Sequence, residues 1–123
     1  MTRHAINPGG GYDLPLSSAI VVNGFVFASG HVGVDVQGQP LNGIEAQTRK
    51  VMEDLKAVLG QAGSSMDKVV KSTVFLTNRK DFAAMNKVYA SFFSFDPPAR
   101  STVEVSGLML EGCLIEIEMV AAL

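Results

Sequence analysis

Two histidines, one cysteine and no tryptophan leave this chain few residues for metal or redox chemistry. His4 and His31 stand apart from any cysteine pair or acids at ligand spacing, so no metal site is expected. The single thiol, Cys113, excludes an internal disulfide and suits a reducing compartment. It alternates with Leu114 on an apolar run and reads as a buried, inert side chain. Charge is sparse too: 10 cationic against 12 acidic residues give a net charge of −2, with no basic stripe. Nucleic acid or an anionic membrane would require a positive field, and none is encoded. The opening Met1–Ala5 carries no apolar leader core and no segment approaches a membrane span, so a cytoplasmic protein is expected. The serines lie in no Gly-x-Ser-x-Gly elbow. The glycines of Asn7–Tyr12 follow no strand and precede no Lys-Ser/Thr, so they read as an irregular arm, not a phosphate cradle.

What the chain does have is apolar mass. Hydrophobic residues reach 47% of 123 and charged ones only 18%. A single domain spanning residues 1–123 has more apolar surface than one small core can hide, which favours a homo-oligomer.

Ala19–Val22 and Phe25–Ala28 flank Asn23-Gly24, the signature of a hairpin with a type I′ turn. The second run continues through Ser29-Gly30-His31-Val32-Gly33, a glycine-interrupted strand suited to a bulge or close backbone approach. From Ile44 to Ala62 the period becomes helical, with Val51, Leu55 and Val58 on one face and Gly63 at the end. Val69–Thr77 alternates as a strand, placing Val70, Ser72, Val74 and Leu76 together. Asn78 caps a second helix over 79–93, whose stripe is Phe82, Met85, Val88, Tyr89 and Phe92. Ser101–Val105 and Cys113–Ala121 follow as strands, read as antiparallel neighbours joined through Gly107 and Gly112. The helices do not alternate with strands in a regular βα rhythm, so an α+β fold with both helices on one sheet face is expected.

Pro97-Pro98 deny the chain a helix and leave Arg100 at the mouth of a strand. Arg100, Thr102 and Glu104 share one face by alternation, as do Glu116 and Glu118. A permanent cation beside a carboxylate-bearing strand suits capture of a small carboxylate, with a glutamate to place water or move a proton. It equally suits a cross-strand ion pair on a solvated face. Periodicity does not choose between them.

At these residues the chain resembles the Rid family, the YjgF-type reactive-intermediate deaminases. The most specific stretch is Pro98-Ala99-Arg100-Ser101-Thr102-Val103 with Ile115-Glu116-Ile117. Ala28-Ser29-Gly30, Ala46–Arg49, Val69–Leu76 and Asn86–Phe93 support it. The resemblance implies a chorismate-mutase-like α+β fold, a mixed sheet with two helices on one face, assembled as a trimeric barrel with clefts between subunits. It also implies hydrolysis of enamines and imines such as 2-aminoacrylate and 2-iminopropanoate to a 2-oxo acid and ammonia, as by a 2-iminobutanoate/2-iminopropanoate deaminase. No cofactor is implied, because an imine carbon is already electrophilic. Arg100 matches the family's carboxylate-binding arginine, and Glu116 the acid that positions water or donates a proton. Ser29 and Gly30 match pocket-lining positions, and Asn86 a helix asparagine near the site. Three positions depart from the best-known branch: Leu16 where a tyrosine follows the proline, Thr102 where a cysteine stands, and His31 where glutamine is common. The Leu16 and Thr102 departures sustain a second expectation, a non-catalytic trimer that binds small carboxylates or 2-oxo acids as a sensor or partner module. RNA cleavage, reported for relatives, is disfavoured by the absence of a basic surface composition.

Overall fold

The computed structural model describes residues 2–123, and it begins with a strand that the patterning did not reveal. β1 (His4–Pro8) pairs antiparallel with β2 (Ser17–Val22), so the irregular arm is confined to the turn after Pro8. This edge strand is short, mostly exposed and closed by a proline, and carries no alternation to read. Asn23 and Gly24 take φ of 53° and 79°, the two positive values a type I′ turn needs, and link β2 to β3 (Phe25–Val32).

α1 (Ile44–Gln61) buries Val51, Met52, Leu55 and Leu59 completely. Its end is closed by Gly63 N–H to the Gly60 carbonyl and Ser64 N–H to the Leu59 carbonyl, the paired bonds of a Schellman motif. β4 (Val69–Leu76) follows. A bulge between Val69 and Lys71 turns Val70 outward, so Val69 takes the buried place expected for Val70. Asn78 does cap: its side-chain oxygen accepts from Lys80 N–H at 2.9 Å. The helix it opens is shorter than expected, a 3-10 turn at Arg79–Asp81 and then α2 (Phe82–Ala90).

The last two strands, β5 (Ala99–Glu104) and β6 (Ile115–Ala122), are not the antiparallel pair that alternation suggested. The sheet order is β1-β2-β3-β6-β4-β5. β5 lies parallel to β4 at one edge, with Arg100 opposite Ser72, and β6 lies between β3 and β4, antiparallel to both. β4-α2-β5 is therefore a crossover unit, in which the helix carries the chain back to start a parallel neighbour. The connection after β5 is not a tight turn; it passes β4 and delivers β6 into the middle of the sheet.

Both helices cover one face. Ile115, Ile117, Met119 and Ala121 of β6 point into that layer and are at most 1% exposed. The opposite face is uncovered: Phe25 and Phe27 are 42% and 46% exposed there, and Glu116 and Glu118 project from β6 on the same side.

Candidate functional site

Arg100 enters β5 directly after Pro97-Pro98 and, by its register with Ser72, projects to the helix-covered side. Its guanidinium carbon stands 4.8 Å from the Tyr89 ring centroid and 5.7 Å from that of Phe82, so two aromatic faces hold the cation. Tyr89 is itself fixed, its hydroxyl 2.6 Å from the Ser72 hydroxyl in a buried hydrogen bond. Burial pushes the Tyr89 phenol up despite the opposing pull of Ser72 and Arg100, so it stays neutral and the stack is cation on neutral ring.

Among the described residues Arg100 makes no ion pair. Glu104, on its own face two steps along, is taken by Arg79 through three contacts: the backbone N–H at 2.8 Å, Nε at 3.0 Å and Nη2 at 2.9 Å. Those bonds hold the Glu104 carboxyl below its usual range. The cross-strand Arg100–Glu pair, one of the two readings of the sequence, is thus not formed. Arg100 instead borders a cavity of about 410 Å³ with Asn86, Tyr89, Ala90, Phe93 and Phe95. Thr102 lies one alternation further on the same face and lines a smaller recess beside Phe82.

Glu116 belongs to a second cluster. β3 bulges between Ala28 and His31, and the bulge sets Gly30 against the Glu116 carboxylate. An alanine Cβ at Gly30 would overlap that carboxylate, so the absence of a side chain here is what lets the acid lie flat on β3. Ser29 spends its hydroxyl on the Ser17 carbonyl at 2.6 Å, pinning the bulge to β2. His31 Nδ1 donates to the Ser29 carbonyl at 2.7 Å, which fixes the ring beside the bulge. Burial pushes the Glu116 carboxyl up; the neighbouring Glu118 adds to this and the His31 ring opposes it. Leu16 joins Tyr12, Ser29, Gly30 and His31 around a cavity of about 390 Å³ between the N-terminal turn and α1. Cys113 is buried, and burial with the nearby Glu116 charge raises its thiol pKa, as suits an inert side chain.

The sequence-derived residues therefore gather into two groups, not one. Arg100, Asn86 and Thr102 stand with α2 and β5, while Glu116, Ser29, Gly30, His31 and Leu16 stand around the β3 bulge. The aromatic platform under Arg100 belongs to the α2 stripe, of which Met85, Val88 and Tyr89 are buried while Phe82 is 46% exposed. Its signal is present: Phe82 and Tyr89 are two helical turns apart on one face.

A sequence model of the family described as endoribonuclease L-PSP matches residues 2–123. A RutC family protein of Pyrococcus horikoshii is 44% identical over 122 residues, covering 98% of this chain and 93% of its own length. Among solved structures, the Rid-family protein YyfA of Yersinia pestis superposes with a TM-score of 0.90 at 41% identity, covering 99% of this chain and 100% of its own. RidA of the Antarctic bacterium Psychrobacter sp. gives 0.84 at 37% identity, covering 88% of each chain.

Proposed function

Because this chain belongs to the endoribonuclease L-PSP family, that of the Rid and YjgF proteins, we propose that it hydrolyses reactive enamine and imine intermediates to 2-oxo acids and ammonia. The observation that carries this reading is Arg100: a permanent cation, without a carboxylate partner among the described residues, held on two aromatic rings beside a cavity. Such a group is ready to receive a carboxylate in bidentate fashion without first breaking a salt bridge.

With the substrate carboxylate on Arg100, the imine carbon needs only a placed water and a proton route. Glu116, with its carboxyl pKa raised by burial, is suited to take a proton from water as it adds to the C=N carbon. The addition is to the protonated imine, so it yields a neutral carbinolamine. Glu116 gives the proton to its nitrogen, and the C–N bond breaks as the hydroxyl passes its own proton to Glu116, which sheds it to solvent; ammonia leaves and the 2-oxo acid remains bound to Arg100. Asn86 and Thr102 line the arginine side of this arrangement; Ser29, Gly30, His31 and Leu16 form the acid side.

The two sides meet across a boundary between copies of the chain, since Arg100 and Glu116 project from opposite faces of one sheet. The uncovered face with Phe25 and Phe27 supports a homo-oligomer, and a trimer with three such clefts is the assembly this reading uses. The net charge of −2 and the absence of a basic stripe favour a small carboxylate over RNA as the ligand, whatever the family's descriptive name.

The test is release of ketoacid from an imine generated in place by a pyridoxal-phosphate lyase. Wild type accelerates release and Arg100→Ala loses the effect by about two to three orders of magnitude while keeping its oligomeric size. Equal rates for the two proteins rule out the clamp. Saturable binding of a 2-oxo acid by wild type without any acceleration supports the non-catalytic carboxylate-binding reading instead.

A further inference from the structure

The cavity beside Arg100 is much larger than the smallest imines need. At about 410 Å³ it falls within the range of small-molecule sites, roughly 300–1,000 Å³. A three-carbon imino acid displaces the volume of only three or four waters, on the order of 100 Å³. The walls away from Arg100 and Asn86 are apolar, and among the described residues no aspartate or glutamate lines the space. The Tyr89 hydroxyl is engaged by Ser72 and Arg100, and Phe93 packs against its ring with centroids 5.0 Å apart. Phe95 is 65% exposed just beyond α2, a large aromatic side chain left out of the core yet lining this cavity.

We propose that this cavity is the side-chain pocket of the site and that it selects 2-imino acids with a branched aliphatic or aromatic side chain over three-carbon imines. The proposal rests on Arg100 as the carboxylate clamp. A carboxylate on the guanidinium leaves the rest of the ligand adjoining Tyr89, Ala90 and Phe93. Each further methylene buried there is worth a factor of about four in binding. The same walls reject a second charge. An acidic or basic side chain would lose its hydration against Phe93 and Phe95 and find no counter-charge beyond the arginine already in use.

The experiment measures loss of imines formed by an amino-acid oxidase from leucine, phenylalanine, alanine and glutamate, with wild type and with Ala90→Phe. Ala90 is exposed and lines the cavity, so a phenyl group there fills the space without entering the core. Phe95→Ala serves as a second variant at another exposed wall, and calorimetry compares 4-methyl-2-oxopentanoate with pyruvate. The proposal expects kcat/KM at least tenfold higher for the leucine and phenylalanine imines than for the alanine imine, with the glutamate imine poorest. It expects that ratio to fall towards one in both variants. A flat or reversed preference in wild type, or a ratio unchanged in both variants, overturns the side-chain pocket while imine hydrolysis itself stands. If no imine is accelerated but the branched 2-oxo acid binds tenfold tighter than pyruvate, the pocket stands and the catalytic reading falls. If nothing is accelerated and neither 2-oxo acid binds, both are overturned.

Discussion

Arg100 and Glu116 leave the same sheet in opposite directions. Arg100 sits opposite Ser72 on the side covered by α2, and Glu116 alternates with the buried Ile115 and Ile117 to the uncovered side. No side-chain rotation in one chain brings a carboxylate on one face to a guanidinium on the other. If both act on one substrate, they come from different chains, and the uncovered face offers the surface on which such chains could meet.

The acid should show its surroundings in the pH dependence of turnover. Glu118 raises the Glu116 pKa and the His31 ring lowers it. Glu118→Gln therefore moves the Glu116 limb of the kcat/KM profile to lower pH, and His31→Gln moves it to higher pH. Shifts of the same sign, or none, contradict the placement of these three groups. Stability gives an independent readout. A carboxyl with a raised folded pKa favours the fold when protonated, an effect present below its ordinary range and lost as pH rises through the folded pKa. Glu116→Gln is thus expected to melt higher than wild type at neutral pH, with the gap closing in acid.

Gly30 tests the close approach of β3 to that acid. Its backbone does not require glycine, since its φ is not positive; only the Glu116 carboxylate occupies the place of a Cβ. Gly30→Ala should lower kcat at least tenfold by displacing the carboxylate. Stability should change by only about 0.5 kcal/mol, as for other exposed positions. A large drop in melting temperature with normal turnover would assign the glycine to folding instead.

Gln47 holds the loops that frame the sheet end. Its amide nitrogen donates to the Leu41 carbonyl at 2.8 Å and the Gly112 carbonyl at 3.1 Å, and its oxygen accepts from Leu114 N–H at 2.7 Å. Gln47→Leu strands three backbone groups beside a side chain that is 1% exposed. A loss of about 3 kcal/mol and a melting temperature roughly 10 °C lower are expected in a denaturation series. Full stability in the variant would show that water replaces these bonds.

Most elements were legible because their signals are local. The Asn23-Gly24 turn, the 3.6-residue stripe of α1 and the alternation of β6 each need only a few neighbouring residues. The strand order was not legible. Alternation shows which residues share a face of one strand but not which strand lies beside it, so β5 was given to β6 when α2 had already returned it to β4. The same limit explains the site. Arg100, Glu116, Gly30 and Asn86 could be named from the family pattern. That Arg79 takes Glu104, and that Arg100 and Glu116 diverge, depends on register that no single segment encodes.

Chain complementation tests that divergence most directly. Arg100→Ala and Glu116→Gln chains, each inactive alone, are unfolded together in equal amounts and refolded as mixed oligomers. If each site takes Arg100 from one chain and Glu116 from the next, random mixing makes one boundary in four productive, and about a quarter of wild-type imine hydrolysis returns. Activity no greater than that of the two variants assayed separately would contradict a site shared between chains.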